Sequence, residues 1–324
     1  MIRFGVIGAG RIARIFCNAV NGIKGNLYAI ASRDLSRAAE YMETYGFEEA
    51  YDSYELMMKD PKVDCVYIAT PHGLHYDHMM LALAHHKHVI CEKPFTLNEK
   101  EALEVLKLAK KNNCFVMEAM WTRFLPTILE VQELINQGII GEIEKIEVAF
   151  GFDVGPRRVG RLFDPLMGGG ALLDIGVYSL TFAHIFLGSP LSFVTKANLN
   201  YNNFDLSNES IFYYEKAKAY VSSRLDQELD NTGYIYGTKG YIKVDHFWQT
   251  EKAFVYNLEH QLIKEISYPH QINGFEYEIK AAIQSMESKQ LECPKMPHHI
   301  TLEIMHQMDL LRKEWNLSFP TEKE

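Results

Sequence analysis

Residues Gly8-Ala9-Gly10-Arg11-Ile12-Ala13 follow an apolar, β-branched run at 2–7 and open a stretch with helical periodicity. That order constrains the fold more than any other feature of the chain. A strand that enters a helix through G-x-G-x-x-A needs Gly8 for the tight turn and Gly10 for close approach of the backbone. It needs Ala13 for helix–strand packing. The free N–H groups at Arg11 and Ile12, aided by the helix dipole, suit a pyrophosphate. Glycines also serve ordinary turns, but this motif stands inside a complete βαβ unit, so the reading is dinucleotide binding.

The alternation continues to residue 119. Strand-like runs at 2–7, 27–32, 63–69, 88–91 and 114–118 are short and apolar on both faces, as a sheet covered by helices requires. The clearest helical pattern spans 99–111, with Ala102, Leu103, Val105, Leu106 and Ala109 on one apolar stripe. Asn98 and Glu101 stand at its start like a capping box. Strand–helix alternation at this spacing predicts a doubly wound parallel sheet, an N-terminal α/β domain of the Rossmann type over 1–119. After Trp121 the pattern changes. A helix over 127–137, a strand over 143–152, a loop rich in Gly, Arg and Asp, and a helix over 170–187 come first. Between 191 and 268 apolar and polar residues alternate, with turns at Asp230-Asn231 and Thr238-Lys239-Gly240. That pattern predicts an open, largely antiparallel sheet. Helices over 274–287 and 297–315 close a second, α+β domain spanning 120–324.

Composition narrows the function classes. Of 324 residues, 33 are basic and 42 acidic, giving −9, and no Lys/Arg-rich run occurs. Nucleic acid and anionic membrane surfaces are therefore disfavoured as partners. No apolar stretch is read as approaching the ~20 residues of a membrane span. Five cysteines without a C-x-x-C pair fit a reducing compartment. The first strand starts straight after Met1, and the expectation is a cytoplasmic enzyme.

The end of the second strand bears on cofactor choice. An NAD enzyme usually places Asp or Glu there for the ribose 2′-OH. This chain has Ser32 and Arg33, with Arg37 one turn on, a set that suits the 2′-phosphate of NADP. Asp34 is either a helix N-cap or the ribose ligand of an NAD enzyme. Glu92-Lys93-Pro94 ends a strand at the carboxyl edge of the sheet, where such sheets bind ligands. Lys93 is either a solvated charge or a group aimed into the crevice, and the proline favours the second. Thr70, His72 and His75 follow another strand end and read as cofactor-edge residues. A metal site built from His72, His75, His78, His85, His86 and His88 is the disfavoured alternative. Cys17, Cys65 and Cys91 read as core thiols. Asp174 and Tyr178, four apart after Gly168-Gly169-Gly170, share a helix face. On spacing alone they are a turn residue and a core aromatic as readily as a catalytic pair.

Taken together, Gly8-Ala9-Gly10, Glu92-Lys93-Pro94, the Gly169 to Tyr178 segment and Gly237-Thr238-Lys239-Gly240 resemble the glucose–fructose oxidoreductase and inositol dehydrogenase (Gfo/Idh/MocA) family. Within it, Met117-Glu118-Ala119-Met120-Trp121-Thr122-Arg123-Phe124 and Asp174-Ile175-Gly176-Val177-Tyr178 are similar to the dimeric dihydrodiol dehydrogenase branch. So is the segment from Ser32 to Arg37. The resemblance implies NADP, with NAD as the alternative, and a homodimer or homotetramer. It also implies a small sugar, polyol or trans-dihydrodiol as substrate. It assigns Lys93 and Tyr178 to catalysis and Asp174 to their support. Trp121 and Arg123 go to the cofactor side, and Phe152, Trp248 and Phe275 to an aromatic substrate wall. A free phenol titrates near ~10, and a neighbouring ammonium favours its anion. Tyr178 is thus the expected general acid/base and Lys93 its assistant. Two other functions stay open: a redox-neutral glycosidase that retains NAD, and a non-catalytic NADPH-binding regulator.

Overall fold

The computed structural model describes residues 1–155 and 160–322. It divides into two compact units, Met1–Met120 with Gln271–Met305, and Trp121–His270 with His306–Glu322. The first unit holds six parallel strands, β1 (Arg3–Ile7), β2 (Asn26–Ala31), β3 (Glu49–Tyr51), β4 (Cys65–Ile68), β5 (His88–Glu92) and β6 (Val116–Ala119). Their order is β3-β2-β1-β4-β5-β6. The helices α1 (Arg11–Gly22), α2 (Leu35–Tyr45), α3 (Tyr54–Lys59), α4 (His75–Ala84) and α5 (Glu99–Lys111) alternate with them. The core is aromatic where α1 meets the sheet: the rings of Phe16 and Tyr67 stack with centroids 3.6 Å apart. All five cysteines are buried free thiols.

Two local expectations are corrected. Leu103 is 49% exposed and lies off the apolar stripe of α5, while Glu101 is buried. Asn98 accepts from the Glu101 N–H, but the Glu101 carboxylate accepts from Leu97 N–H rather than closing a reciprocal capping box. The three-residue strand β3 carries no apolar run, which is why periodicity misses it.

In the second unit, α6 (Pro126–Asn136) precedes β7 (Ile143–Gly151), and α7 (Val177–Leu187) precedes seven further strands. These are β8 (Ser192–Leu199), β9 (Asp205–Tyr213), β10 (Lys218–Arg224), β11 (Gly233–Gly237), β12 (Gly240–Val244), β13 (Lys252–Asn257) and β14 (Leu262–Ser267). The sheet order is β14-β13-β12-β11-β7-β10-β9-β8. Every neighbouring pair is antiparallel except β7 with β10. One face is covered by α7; the other presents a row of paired residues, Val194, Ile211, Tyr220, Glu147, Tyr234, Lys243 and Phe254. The run Pro165–Leu187, 23 residues that contain an 18-residue window of mean hydropathy 1.5, is long and apolar enough to cross a membrane, contrary to expectation. Its α7 residues from Val177 to His184 are all buried, and a helix apolar all round belongs in a core.

The domain expected over 120–324 is divided, because α8 (Phe275–Glu287) and the start of α9 (His298–Glu314) belong to the first unit. Asn273 donates to the Ile15 carbonyl of α1 at 2.9 Å, and Val116 N–H of the edge strand β6 donates to Leu291 O at 3.0 Å. On α8, Glu278 is fully buried, and neither carboxyl oxygen has a hydrogen-bond partner among the described residues. Burial, and then the nearby Glu92 carboxylate, push its pKa well above the ordinary 4.5. The folded state therefore holds a proton that the unfolded chain releases above that value, and stability falls as pH rises from about 4.5. Glu278→Gln removes the titration. It is expected to raise the melting temperature at pH 8 by about 2–4 °C, the shift ~1 kcal/mol gives. At pH 5 the difference from the parent should be smaller. Parallel pH dependence of the two melting temperatures would refute this account of Glu278.

Candidate active site

In the first unit the predicted cofactor residues sit at the carboxyl ends of β1, β2, β4 and β5. Gly8 has φ +94°, and a Cβ there would lie 2.8 Å from the Ala69 carbonyl oxygen. Gly10 differs: nothing stands within 4 Å of where its Cβ would be. It is the N-cap of α1 and offers no side-chain cap, so the first N–H groups of Arg11 and Ile12 meet no capping oxygen. Open space over uncapped amides fits a pyrophosphate. Ser32 is buried, and its hydroxyl accepts from Asp34 N–H. Arg33 and Arg37 are exposed beside it. Asp34 is the N-cap of α2; its Oδ1 accepts from both the N–H and the hydroxyl of Ser36. The Ser36 hydroxyl and N–H hold its carboxyl below the ordinary value.

The loops after β4 and β5 are tied together by His75. Its Nδ1 lies 2.9 Å from Pro94 O and its Nε2 2.9 Å from Thr70 O. Burial pushes the imidazole down to about 4, so at neutral pH only one of the two contacts carries a proton. His75 is thus a buried strut below the loop surface. Thr70 and His72 are also nearly buried, and the Thr70 hydroxyl meets His78 Nδ1 at 2.9 Å. His88 Nδ1 accepts from Phe115 N–H, so the histidines are dispersed into separate structural contacts. Among the described residues no three His, Cys, Asp or Glu side chains gather as a metal-binding group. Lys93 is half-buried between Glu92 and a cis-linked Pro94, both buried. Tyr67 donates its hydroxyl proton to Glu92, and burial together with that carboxylate holds the Tyr67 phenol well above its ordinary value. Phe275 lies in this unit too, at the start of α8.

In the second unit the structure brings Tyr178, Trp121, Phe152 and Trp248 together around a residue that sequence reasoning did not single out, Phe150. Its ring stacks on Trp248 at 4.2 Å and lies 6.0 Å from Tyr178 and 6.4 Å from Phe152. Trp121 Nε1–H donates to the Tyr178 hydroxyl oxygen at 3.1 Å. An indole only donates, so Tyr178 accepts here and its own proton is not consumed by this contact. Trp121 and Arg123 share one short helical turn, which Thr122 fixes by donating to Trp248 O at 2.7 Å. The single helix expected over 170–187 is corrected: Leu172–Gly176, which carries Asp174, is a π-turn, and α7 with Tyr178 follows it. Asp174 pairs with Arg161 at 2.9 Å, a second residue that sequence reasoning did not single out. Residues 156–159 of the preceding loop lie outside the described residues.

Comparison with known proteins resolves the family. Residues 2–120 match the oxidoreductase family with an NAD-binding Rossmann fold, and 128–243 match the GFO/IDH/MocA C-terminal domain. The chain belongs to the Gfo/Idh/MocA oxidoreductase family. The trans-1,2-dihydrobenzene-1,2-diol dehydrogenase of Xenopus tropicalis is 31% identical over 98% of this chain and 99% of its own. The human enzyme of that name is 29% identical over 99% of each. A 3-ketoreductase from Actinomadura kijaniata, solved with NADP and TDP-benzene, superposes with a TM-score of 0.87 at 25% identity. It covers 96% of this chain and 97% of its own. This chain is accordingly an NAD(P)-binding oxidoreductase.

The two glycines of its phosphate loop separate stability from binding. Gly8→Ala meets both a positive φ and a carbonyl, and is expected to cost about 1–3 kcal/mol of stability. Gly10→Val enters open space, so the melting temperature of the free protein should hold while NADPH and NADH binding weaken tenfold or more. Fluorescence titration alongside thermal melts checks both; unweakened binding in Gly10→Val would move the coenzyme elsewhere.

Proposed function

We propose that this oxidoreductase uses NADP to move a hydride between nicotinamide and a secondary alcohol or carbonyl of a sugar, polyol or trans-dihydrodiol. Tyr178 is the general acid/base, assisted by Lys93. The observation that carries the reading is the hydroxyl of Tyr178, held as an acceptor by Trp121 inside an aromatic cluster. When bound, the nicotinamide supplies the acceptor or donor of hydride at its C4. In oxidation the carbon-bound hydrogen leaves as hydride with both electrons of the C–H bond, the O–H proton passes to the Tyr178 oxygen, and the O–H pair forms the carbonyl; reduction reverses each transfer. The Lys93 ammonium favours the tyrosinate and stabilises negative charge on the substrate oxygen. Asp174, fixed by Arg161, orients a substrate hydroxyl. Phe150, Phe152 and Trp248 form an apolar wall that excludes water.

The NADP preference rests on the helix start after β2. Asp34 is committed to Ser36 as a cap, which leaves Ser32, Arg33 and Arg37 for a 2′-phosphate. The A. kijaniata 3-ketoreductase was solved with NADP. We assign self-association to the exposed sheet face around Val194 and Tyr220, 53% and 40% exposed.

Titration with both reduced coenzymes is expected to favour NADPH tenfold or more, worth ~1.4 kcal/mol. Arg33→Ala with Arg37→Ala should erase that ratio. With NADP and trans-1,2-dihydrobenzene-1,2-diol or an aldose panel, Tyr178→Phe should lose at least a hundredfold in kcat with coenzyme Kd unchanged. Lys93→Ala in the same background should add little, because the two act as a unit. Full turnover by Tyr178→Phe would overturn the assignment.

A further inference from the structure

The second unit contains a buried carboxyl that the proposed chemistry does not use. Asp205, the first residue of β9, has no exposed surface. Its Oδ2 accepts from Leu172 N–H, at the start of the π-turn, and from Asn208 Nδ2, each at 2.8 Å. Asn208 Oδ1 in turn accepts from the buried Ser223 hydroxyl of β10 at 3.1 Å. Oδ1 of Asp205 has no hydrogen-bond partner among the described residues. It fills the space beside Gly170, where φ is +117° and a Cβ would collide with it. The Gly170 carbonyl accepts from Asp174 N–H at 3.3 Å. One carboxyl therefore packs against Gly170 and binds the backbone at the start of the turn that carries Asp174 and leads through α7 to Tyr178.

A neutral amide could accept the same two protons, and a buried, half-satisfied carboxyl is costly to keep. A carboxylate is the stronger acceptor for a backbone N–H at a helix start. We propose that Asp205 is a positioning residue for the reaction: by gripping Leu172 N–H beside Gly170 it fixes the π-turn and so the placement of Asp174 and Tyr178. This rests on the assignment of Tyr178 as acid/base. Burial raises the Asp205 pKa to about 7, offset in part by Asn208, by Leu172 N–H and by the Arg312 guanidinium of α9. Arg312 is itself paired with Asp309 at 2.7 Å and Glu322 at 2.6 Å, and Asp174 is paired with Arg161. Its chain neighbours Phe204 and Leu206 are buried in an apolar cluster with Phe163. Protonation weakens the acceptor, so the turn loosens below neutrality and tightens above it.

The test reads Tyr178 directly. The chain has three tryptophans, and the indole N–H of Trp121, assigned with Trp121→Phe, reports its hydrogen bond to Tyr178. In the intact 15N-labelled protein this resonance should shift between pH 6 and 8 with a midpoint near 7. In Asp205→Asn, which keeps an acceptor for Leu172 N–H, the shift should vanish while the fold and coenzyme Kd persist. kcat with NADP and trans-1,2-dihydrobenzene-1,2-diol should lose its inflection in the same range. Asp205→Ala should drop kcat tenfold or more, and Asp205→Asn should restore it to within threefold at pH 8. Identical indole titrations in parent and Asp205→Asn, or none in either, would overturn the proposal, whether or not Asp205→Ala folds. If Tyr178→Phe turns over normally while the indole titration still depends on Asp205, the acid/base assignment has failed and the positioning network has not.

Discussion

The double pairing of β1 is the constraint on which the coenzyme side depends. β1 is hydrogen-bonded in parallel to β2 on one edge and β4 on the other, so the chain reverses its winding direction there. A crevice opens at the carboxyl ends of such a pair because the two connecting segments must leave in opposite directions. The register is pinned from the far end by Arg3, whose backbone and guanidinium nitrogens bind Asp64 at 2.8–3.0 Å just before β4. With that end fixed, Gly8, Ser32 and Thr70 emerge side by side. Ladder bonds continue past the strands, from Gly8 N–H to Ala31 O and from Ala69 N–H to Ile7 O. The closeness of Ala69 is what excludes a side chain at position 8.

The second unit solves a different problem with a mixed sheet. β7 lies between an antiparallel neighbour and a parallel one, which brings its last residues, Phe150 and Gly151, beside Ser223 and Arg224 of β10. Phe150 thus points into the aromatic cluster while β10 supplies Ser223 to the polar network beneath the π-turn. The wide turn is supported by chemistry on three strands or loops at once: Asp205 and Asn208 on β9, Ser223 on β10, and Arg161 before it. Widened turns inside helices are frequent at functional sites because they redirect side chains without ending the helix.

Much of this was legible in residue order. The strand–helix alternation, the phosphate loop and the helix over 99–111 follow from local periodicity and from glycine stereochemistry, which act over a few residues. Phe150 and Arg161 were not legible, because their importance comes from a strand pairing and an ion pair that periodicity does not encode. The π-turn was hidden for the same reason: Asp174 and Tyr178 keep a spacing that reads as α-helical until Asp205, more than 25 residues on, fixes the backbone. The return of 271–305 to the first unit follows from the open edge of β6 and the apolar side of α1, surfaces that exist only once the first 120 residues have folded.

The buried acids also separate by what surrounds them. Glu276 accepts from three backbone N–H groups, of Ile272, Asn273 and Gly274, at 2.7–3.1 Å, and these outweigh its burial to hold its carboxyl below the ordinary value. Glu118 and Glu101 likewise hold the N–H groups of Phe95 and Leu97. The Glu276 carboxylate stays charged and ties its loop, since three amides replace the lost water. Glu278 has no such set of amides, and Asp205 has part of one, with a single backbone amide and a side-chain amide on one oxygen. For these two, burial outweighs the partners they have and favours the protonated form. Only Asp205 grips the backbone of the turn leading to Tyr178, so its protonation is the one that the second unit can transmit.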